Sequence, residues 1–277
     1  MGRVEGKVAF ITGAARGQGR SHALRLAQEG ADIIAIDICE DIAGTPYAGA
    51  TEADLAETVR QVEALDRRII ASKADVRDFD TLQRTVDDGV AQLGRLDIVS
   101  ANAGILTSPG KAEDFSDETW NTMIDVNLTG VWHAAKAAIP HLKAGKNGGA
   151  IILTSSEAGL RGFANAGHYV SAKHGVVGLM RTLALELAPD LIRVNSIHPT
   201  QVDTDMIQNE ATYRLFRPDL DKPTREDFAP ASQSVNALPI PWVESIDISN
   251  ALLFLASDEA RFVTGVMLPV DAGCFLK

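Results

Sequence analysis

The sequence predicts an α/β fold, a single doubly wound domain in which a seven-stranded parallel sheet carries helices on both faces. Short apolar runs of strand length alternate along the chain with segments of helical periodicity, which is the rhythm of βαβ units. The apolar runs are near-continuous Val, Ile and Ala, as expected of strands covered on both faces. A length of 277 residues lies near the size at which one hydrophobic core stops growing, and no repeat, low-complexity tract or linker divides the chain, so 1–277 reads as one domain.

The first strand, Val8 to Ile11, runs through a glycine-rich turn into a helix over Gly19 to Glu29. The second, Asp32 to Ile36, is followed by Cys39 to Ala53 (CEDIAGTPYAGATEA), a Gly-, Ala- and Thr-rich insertion longer than the usual connection of about 2 to 6 residues. A helix over Ala53 to Leu65, a strand at Ile69 to Ala71, a helix over Thr81 to Leu93 and a strand at Leu96 to Ser100 follow. Then come a long helix over Trp120 to Leu142, a strand at Ala150 to Thr154, a helix over Tyr169 to Leu187 and a strand at Ile192 to Ile197. Asp203 to Trp242 breaks the rhythm with five prolines and the bulky Met206, Tyr213, Phe216, Phe228 and Trp242. Aromatics are costly to leave in water, so 203–242 reads as a long loop that closes over substrate. A helix over Ile246 to Ala256 and a strand at Val266 to Val270 close the series.

The formal net charge of -11, without a Lys/Arg cluster, argues against nucleic acid and anionic membrane surfaces as partners. No apolar run approaches the roughly 20 residues of a membrane span, and MGRVEGKVAFITGAARG enters a strand without a signal-peptide apolar region, so the expected location is cytoplasmic. Cys39 and Cys274 give neither a disulfide framework nor metal-ligand spacing. His168 and His198 stand beside Tyr169 and Pro199 but outside any metal motif, so no metal is expected. His168 is a candidate pocket-lining residue, whereas His22, His133, His141 and His174 carry no expected role.

Thr12-Gly13-Ala14-Ala15-Arg16-Gly17-Gln18-Gly19 links the first strand to its helix. Small residues there let backbone N–H groups and the helix N-terminus approach a pyrophosphate. The spacing is G-x3-G-x-G, unlike the general G-x-G-x-x-G fingerprint, and a plain tight turn is the alternative. Position on the first strand favours a phosphate cradle. Asp37 ends the second strand 18 residues after Gly19, near the about 20 expected of an acidic residue that bonds adenosine ribose hydroxyls. That favours NAD over NADP. Arg16 is a counter-signal, because a cation in this turn pairs readily with a 2′-phosphate, and Asp37 is also compatible with a strand-end turn.

These motifs, with those that follow in order, resemble the short-chain dehydrogenase/reductase family, of Rossmann-type fold, over nearly the whole chain. Thr12 to Gly19 matches its TGxxxGxG, Asp75-Val76 its adenine-contacting pair, and Asn102-Ala103-Gly104 its NAG. Asn127, Ser156, Tyr169-Val170-Ser171-Ala172-Lys173 as YxxxK, and Pro199 with Val202 and Thr204 complete the set. Thr200 and Ala272 depart from it, each standing where the family has Gly. The chain is most similar to the mycofactocin-coupled branch, whose members include carveol dehydrogenases, through TGAARGQGRSHA, the insertion after Asp37, VNSIHPTQVDTDM, NEATYRLFRPDL and ALPIPWVE.

The residues themselves supply a chemistry. Removing a proton from an alcohol as hydride leaves its carbon needs a base, and a tyrosine of ordinary pKa about 10 serves when a cation favours its phenolate. Tyr169 and Lys173 are i and i+4 on one helix. Ser156, 13 residues before Tyr169, follows the fifth strand at its C-terminal end, where ligands bind in open α/β sheets, while Ser155 is an adjacent competitor. A lone mid-helix Asn is more often a local hydrogen-bonder, and only the resemblance makes Asn127 part of a proton relay through water.

The resemblance further implies that Lys173 bonds the nicotinamide ribose, that Thr204 and the backbone near Pro199 hold the carboxamide, and that 39–53 forms a flap over the adenosine. It implies NAD held without exchange, electrons passed to mycofactocin, and a homotetramer in which Ala134, Ala135, Ala137, Ala138, Ala172, Gly175 and Gly178 let helices pack closely. The expected substrate is a hydrophobic secondary alcohol, such as the terpenoid carveol, that yields its ketone. A non-catalytic NAD-binding redox sensor has no need of the four catalytic residues at active spacing. An epimerase or dehydratase that recycles bound NAD is the enzyme alternative.

Overall fold

The computed structural model describes residues 2–277. Strands β1 (Val8–Thr12), β2 (Asp32–Asp37), β3 (Ile69–Lys73), β4 (Ile98–Ala101), β5 (Gly149–Thr154), β6 (Ile192–Pro199) and β7 (Met267–Val270) form one parallel sheet in the order β3-β2-β1-β4-β5-β6-β7. Helices α1 (Gly17–Gln28), α2 (Glu52–Glu63), α3 (Phe79–Leu93), α4 (Asp117–Ile124), α5 (Gly130–Gly145), α6 (Gly167–Leu187), α7 (Glu210–Phe216), α8 (Arg225–Val235) and α9 (Ser245–Ala256) complete the fold. Doubly wound α/β architecture is thus observed as expected. Strand ends differ from the apolar runs by about two residues at most, the ordinary uncertainty of boundaries.

Alternate strand residues feed two cores. Val8, Phe10, Ile34 and Ile36 pack with Leu82 and Val86 of α3 and Val176 and Met180 of α6. Ala9, Ile11, Ile33 and Ala35 pack on the other face with Leu26 of α1 and Ile248 and Leu252 of α9. Residues of both sets on β1 and β2 are almost wholly buried, which is why these strands read as continuous apolar runs.

After β3 the chain returns to lay β4 on the other side of β1, so connections leave the C-terminal ends of β1 and β4 in opposite directions and open a crevice between them. Thr12 closes its floor, because its hydroxyl accepts from the backbone N–H groups of Asn102 at 3.0 Å and Ala103 at 2.9 Å.

Two expectations need correction. The helix expected over Trp120 to Leu142 starts at Asp117, capped by Ser116, and contains a π-helical turn, Asp125–Thr129, between α4 and α5. The stretch 203–242 is not a loop throughout but carries two helices, α7 and α8. Asn209 accepts from Thr212 N–H to start α7, and Thr224 and Asp227 form a capping box that starts α8. The aromatics there pack on one another: Phe228 is fully buried, with ring centroids 5.4 Å from Tyr213, 5.1 Å from Phe216 and 5.8 Å from Trp242.

Candidate active site

The turn after β1 is shaped by its glycines. Gly13 has φ +67°, a left-handed conformation that favours Gly, and a Cβ on Gly19 would run into the Gly13 carbonyl oxygen. Among the described residues no side chain caps α1, so its first N–H groups face the crevice. A cleft of about 400 Å³ opens there, lined by Gly13, Arg16, Gly17, Gln18, Gly19, Asp37, Asp75, Val76, Asn102, Ala103, Gly104 and Thr204. A second cavity of about 290 Å³ is lined by Asn127, Ser156, Tyr169, Lys173, Pro199 and Val202. Gln18, Asn102, Gly104, Thr204 and Met206 line both, so every candidate residue lies along one continuous groove.

Asp37 is buried at the end of β2, and its carboxylate accepts from Ala15 N–H at 3.0 Å and Cys39 N–H at 3.1 Å while lining the first cleft. Arg16 is already engaged: its Nη1 lies 2.8 Å from Asp205, and it also donates to the Ala48 carbonyl. The counter-signal for a 2′-phosphate is weakened accordingly. Asp75 pairs with Arg77 at 2.6 Å. His133, given no role above, bonds the Val76 carbonyl through Nδ1 at 2.8 Å.

The insertion supplies a residue that sequence reasoning missed. Tyr47 lines the first cleft, and its hydroxyl accepts from Leu106 N–H at 3.1 Å, tying the insertion to the segment after β4. A single aromatic in an otherwise Gly- and Ala-rich tract was the available signal.

At the other end, β5 stops at Thr154, whose carbonyl accepts from Lys173 Nζ at 3.0 Å. Ser155 donates to the Lys173 carbonyl at 2.9 Å, so the competitor for Ser156 is spent on holding α6. Ser156 Oγ accepts from Ala158 N–H at 3.1 Å and faces the second cavity. The Asn127 side chain accepts from Ile105 N–H at 3.1 Å and donates to the Ile105 carbonyl at 3.0 Å. A Cβ on Gly104 would come within 2.7 Å of Asn127 Oδ1, so only Gly leaves this corner open.

Lys173 Nζ sits 5.6 Å from the centre of the Tyr169 ring. In the protein alone, burial pushes the Tyr169 phenol up to about 12 against an opposing hydrogen bond from Ser156. Burial also brings Lys173 down to about 8. The expected depression of the phenol by the lysine is not seen in the protein alone: desolvation dominates, and Ser156 is the group that opposes it. His168 lines the second cavity, bonded to Thr107 at 2.7 Å and stacked on Phe115 at 3.9 Å.

The two departures have different consequences. Thr200 does not take a positive φ, so a β-branched residue is unstrained there, whereas Ala272 has φ +51° where Gly would be free. Among the described residues no helix is long and apolar enough to cross a membrane, and no three His, Cys, Asp or Glu are grouped to hold a metal ion.

Sheet order, cradle and groove define a nucleotide-binding oxidoreductase of the doubly wound class. The family model for short chain dehydrogenases matches residues 7–214. The chain belongs to the short-chain dehydrogenase family. A (-)-trans-carveol dehydrogenase of Rhodococcus erythropolis is 62% identical over 277 residues, 100% of both chains. The crystal structure of a carveol dehydrogenase from Mycobacterium avium in complex with NAD has a TM-score of 0.99 at 61% identity, covering 100% of both chains. A trans-4-hydroxycyclohexanecarboxylate dehydrogenase of Sinomonas cyclohexanicum is 40% identical over 271 residues, 98% of this chain and 93% of the relative.

Proposed function

We propose that this chain is an NAD-dependent alcohol dehydrogenase that oxidises an uncharged apolar secondary alcohol, a terpenoid such as carveol, to its ketone. The observation that supports this most is the meeting of the glycine cradle with an apolar cavity at Ser156, Tyr169 and Lys173. The cradle fits a dinucleotide: Gly13, Gly17 and Gly19 line the cleft in a turn too tight for a Cβ at Gly19, and Asp37 lines the same cleft from the end of β2.

When bound, NAD supplies the hydride acceptor and, in its oxidised form, a positive ring. The turn from Gly13 to Gly19 and the start of α1 would hold its diphosphate, and Asp37 would bond its adenosine ribose. Asp75, Val76, Asn102, Ala103 and Gly104 wall the cleft, while Pro199, Val202 and Thr204 would hold the carboxamide. Ser156 orients the substrate oxygen, and Tyr169 takes its proton in oxidation and returns it in reduction. Asn127 would hold a water between Lys173 and solvent, through which that proton leaves.

Substrate charge follows from the cavity wall. Leu106, Phe163, Ile207, Leu215, Phe216 and Val235 contribute apolar surface, and among the described residues Lys173 is the only Lys or Arg that lines it. Glu157 adds a half-buried carboxyl that desolvation holds above the usual carboxylate range. A carboxylate substrate finds no free cation there, which favours a neutral alcohol.

The finer reading is that NAD is resident beneath 39–53, with 203–242 as the substrate lid, and gives its electrons to mycofactocin in a cytoplasmic homotetramer. Links from the insertion to Arg16 and Leu106 support retention. Ala134, Ala135, Ala137 and Ala138 face the protein's own core and do not supply a subunit contact, whereas Gly178 is exposed.

The test is to dialyse purified protein, denature it, and identify released nucleotide by mass spectrometry, then assay carveol oxidation with added NAD and with an artificial acceptor. About one NAD(H) per chain with acceptor-dependent turnover supports the full reading. Turnover only with added NAD removes retention, and no oxidation under either condition removes carveol as the substrate.

A further inference from the structure

We propose that His198 is a positioning residue for the reaction, its imidazole fixing the backbone of Ser156 relative to the segment that borders the nicotinamide. The proposal rests on the reading of Ser156 given above.

Pairing between β5 and β6 ends at Thr154 with Ile197, and the last backbone bond of that ladder runs from Ser155 N–H to the Ile197 carbonyl at 2.9 Å. Ser156 therefore lies just beyond the reach of the sheet. Its carbonyl accepts from Gly159 N–H at 2.9 Å within a local turn, a bond that moves with Ser156 itself. Its second partner is His198 Nδ1, at 2.7 Å, from a fully buried side chain on β6. This bond ties the Ser156 backbone to the adjacent strand.

The tautomer follows from the partners. A carbonyl oxygen only accepts, so Nδ1 carries the hydrogen. Nε2 then presents its lone pair to the Ser196 hydroxyl, 2.8 Å away, which donates. Burial holds the ring's pKa down at about 4, so it stays neutral and keeps this single arrangement near neutral pH. Ser196, His198 and Ser156 thus form a chain of hydrogen bonds in which each donor has one acceptor.

The consequence concerns distance. Pro199 follows His198 directly, and the segment it opens brings Val202 and Thr204 into the groove. One ring therefore sets how far the hydroxyl that orients the substrate oxygen lies from the segment bordering the hydride acceptor. Hydride transfer depends steeply on such a separation, and rigid secondary contacts are what hold it.

Two variants of similar polarity separate this role from general packing. The amide of His198→Asn sits where Nδ1 sits and can donate to the Ser156 carbonyl; that of His198→Gln sits nearer Nε2 and cannot do so without displacement. With carveol and whichever acceptor sustains wild-type turnover, added NAD or an artificial one, His198→Asn should retain kcat within about threefold, whereas His198→Gln should lose about 10- to 100-fold in kcat with KM changed far less. Released NAD measured by mass spectrometry should stay equal in both, and far-ultraviolet circular dichroism should show both folded. Equal turnover in Asn and Gln variants, or a defect confined to KM, overturns the proposal. Ser156→Ala serves as the control: its expected loss of turnover alongside equal Asn and Gln variants sinks the His198 proposal alone, whereas unchanged turnover in Ser156→Ala sinks the reading on which it rests.

Discussion

Arg16 at the start of α1 places its Nη1 2.8 Å from Asp205 Oδ2, so an ion pair crosses the mouth of the cofactor cleft. The same guanidinium donates to the Ala48 carbonyl and lies 6.0 Å from the centre of the Tyr47 ring. Three segments distant in sequence meet on one side chain: the glycine turn, the insertion and the segment after β6. Exposed pairs contribute only about 0 to 1 kcal/mol, and the Asp205 side chain is 64% exposed. Asp205→Asn should therefore speed NAD release by no more than about fivefold. Arg16→Ala, which also frees the insertion, should speed it further. Stopped-flow displacement of bound NADH fluorescence reads both rates, and identical release from wild type and Arg16→Ala would show that this clasp does not retain the nucleotide.

Asp37 governs the choice between nucleotides in the proposed reading. Its carboxylate holds Ala15 and Cys39 N–H groups and faces the cleft, so a 2′-phosphate brought there meets a buried negative charge. Hydrogen bonds to charged groups are worth about 1.5 to 3 kcal/mol, so Asp37→Ala should narrow the NAD over NADP preference in kcat/KM by about tenfold or more. A preference unmoved by the change would place discrimination elsewhere in the cleft.

Tyr169→Phe should lower turnover at least about 100-fold while leaving nucleotide content intact, because it removes the group proposed to move the proton. The pH dependence follows from burial, which holds the phenol up to about 12 and Lys173 down to about 8. Near neutrality the protein alone keeps Tyr169 protonated, ready as an acid for reduction and unready as a base for oxidation. Oxidation kcat/KM should rise with pH and reduction should not, measured on the two half-reactions separately. An oxidation rate independent of pH in wild type, or undiminished turnover in Tyr169→Phe, removes the assignment.

What the sequence made legible was local or periodic. Apolar runs placed β1 to β7, and the glycine spacing placed the cradle, because burial and backbone freedom act on neighbouring residues. The helices in 203–242 were hidden by prolines, although Pro218 and Pro223 merely separate them, and the caps Asn209 and Thr224 with Asp227 were present in the sequence. The alanines of α5 signalled close packing but not its partner, which is the chain's own core. The charge state of Tyr169 and the bond from His198 to Ser156 depend on desolvation and on strand neighbours far apart in sequence. Neither is encoded in spacing.

His22 provides a prediction on stability. It is fully buried in α1, with Nδ1 2.8 Å from Ser249 of α9, and burial brings its pKa from the ordinary 6.5 to about 3. The unfolded chain takes up this proton near 6.5 and the folded chain only near 3, so between those values the unfolded state binds more protons. Stability is therefore unaffected by this group above 6.5 and falls as pH drops through the window, by about 1.4 kcal/mol per unit. His198, held down at about 4, adds a second proton over the upper part of the same range. His22→Asn keeps a donor near the Ser249 hydroxyl and has no titrating group. Urea unfolding at fixed protein concentration across the acid range should give the variant a shallower loss of stability than wild type, by close to one proton. Parallel curves for the two proteins would mean that the folded state accommodates a charged imidazole at the α1–α9 contact, and that burial there does not exclude the proton.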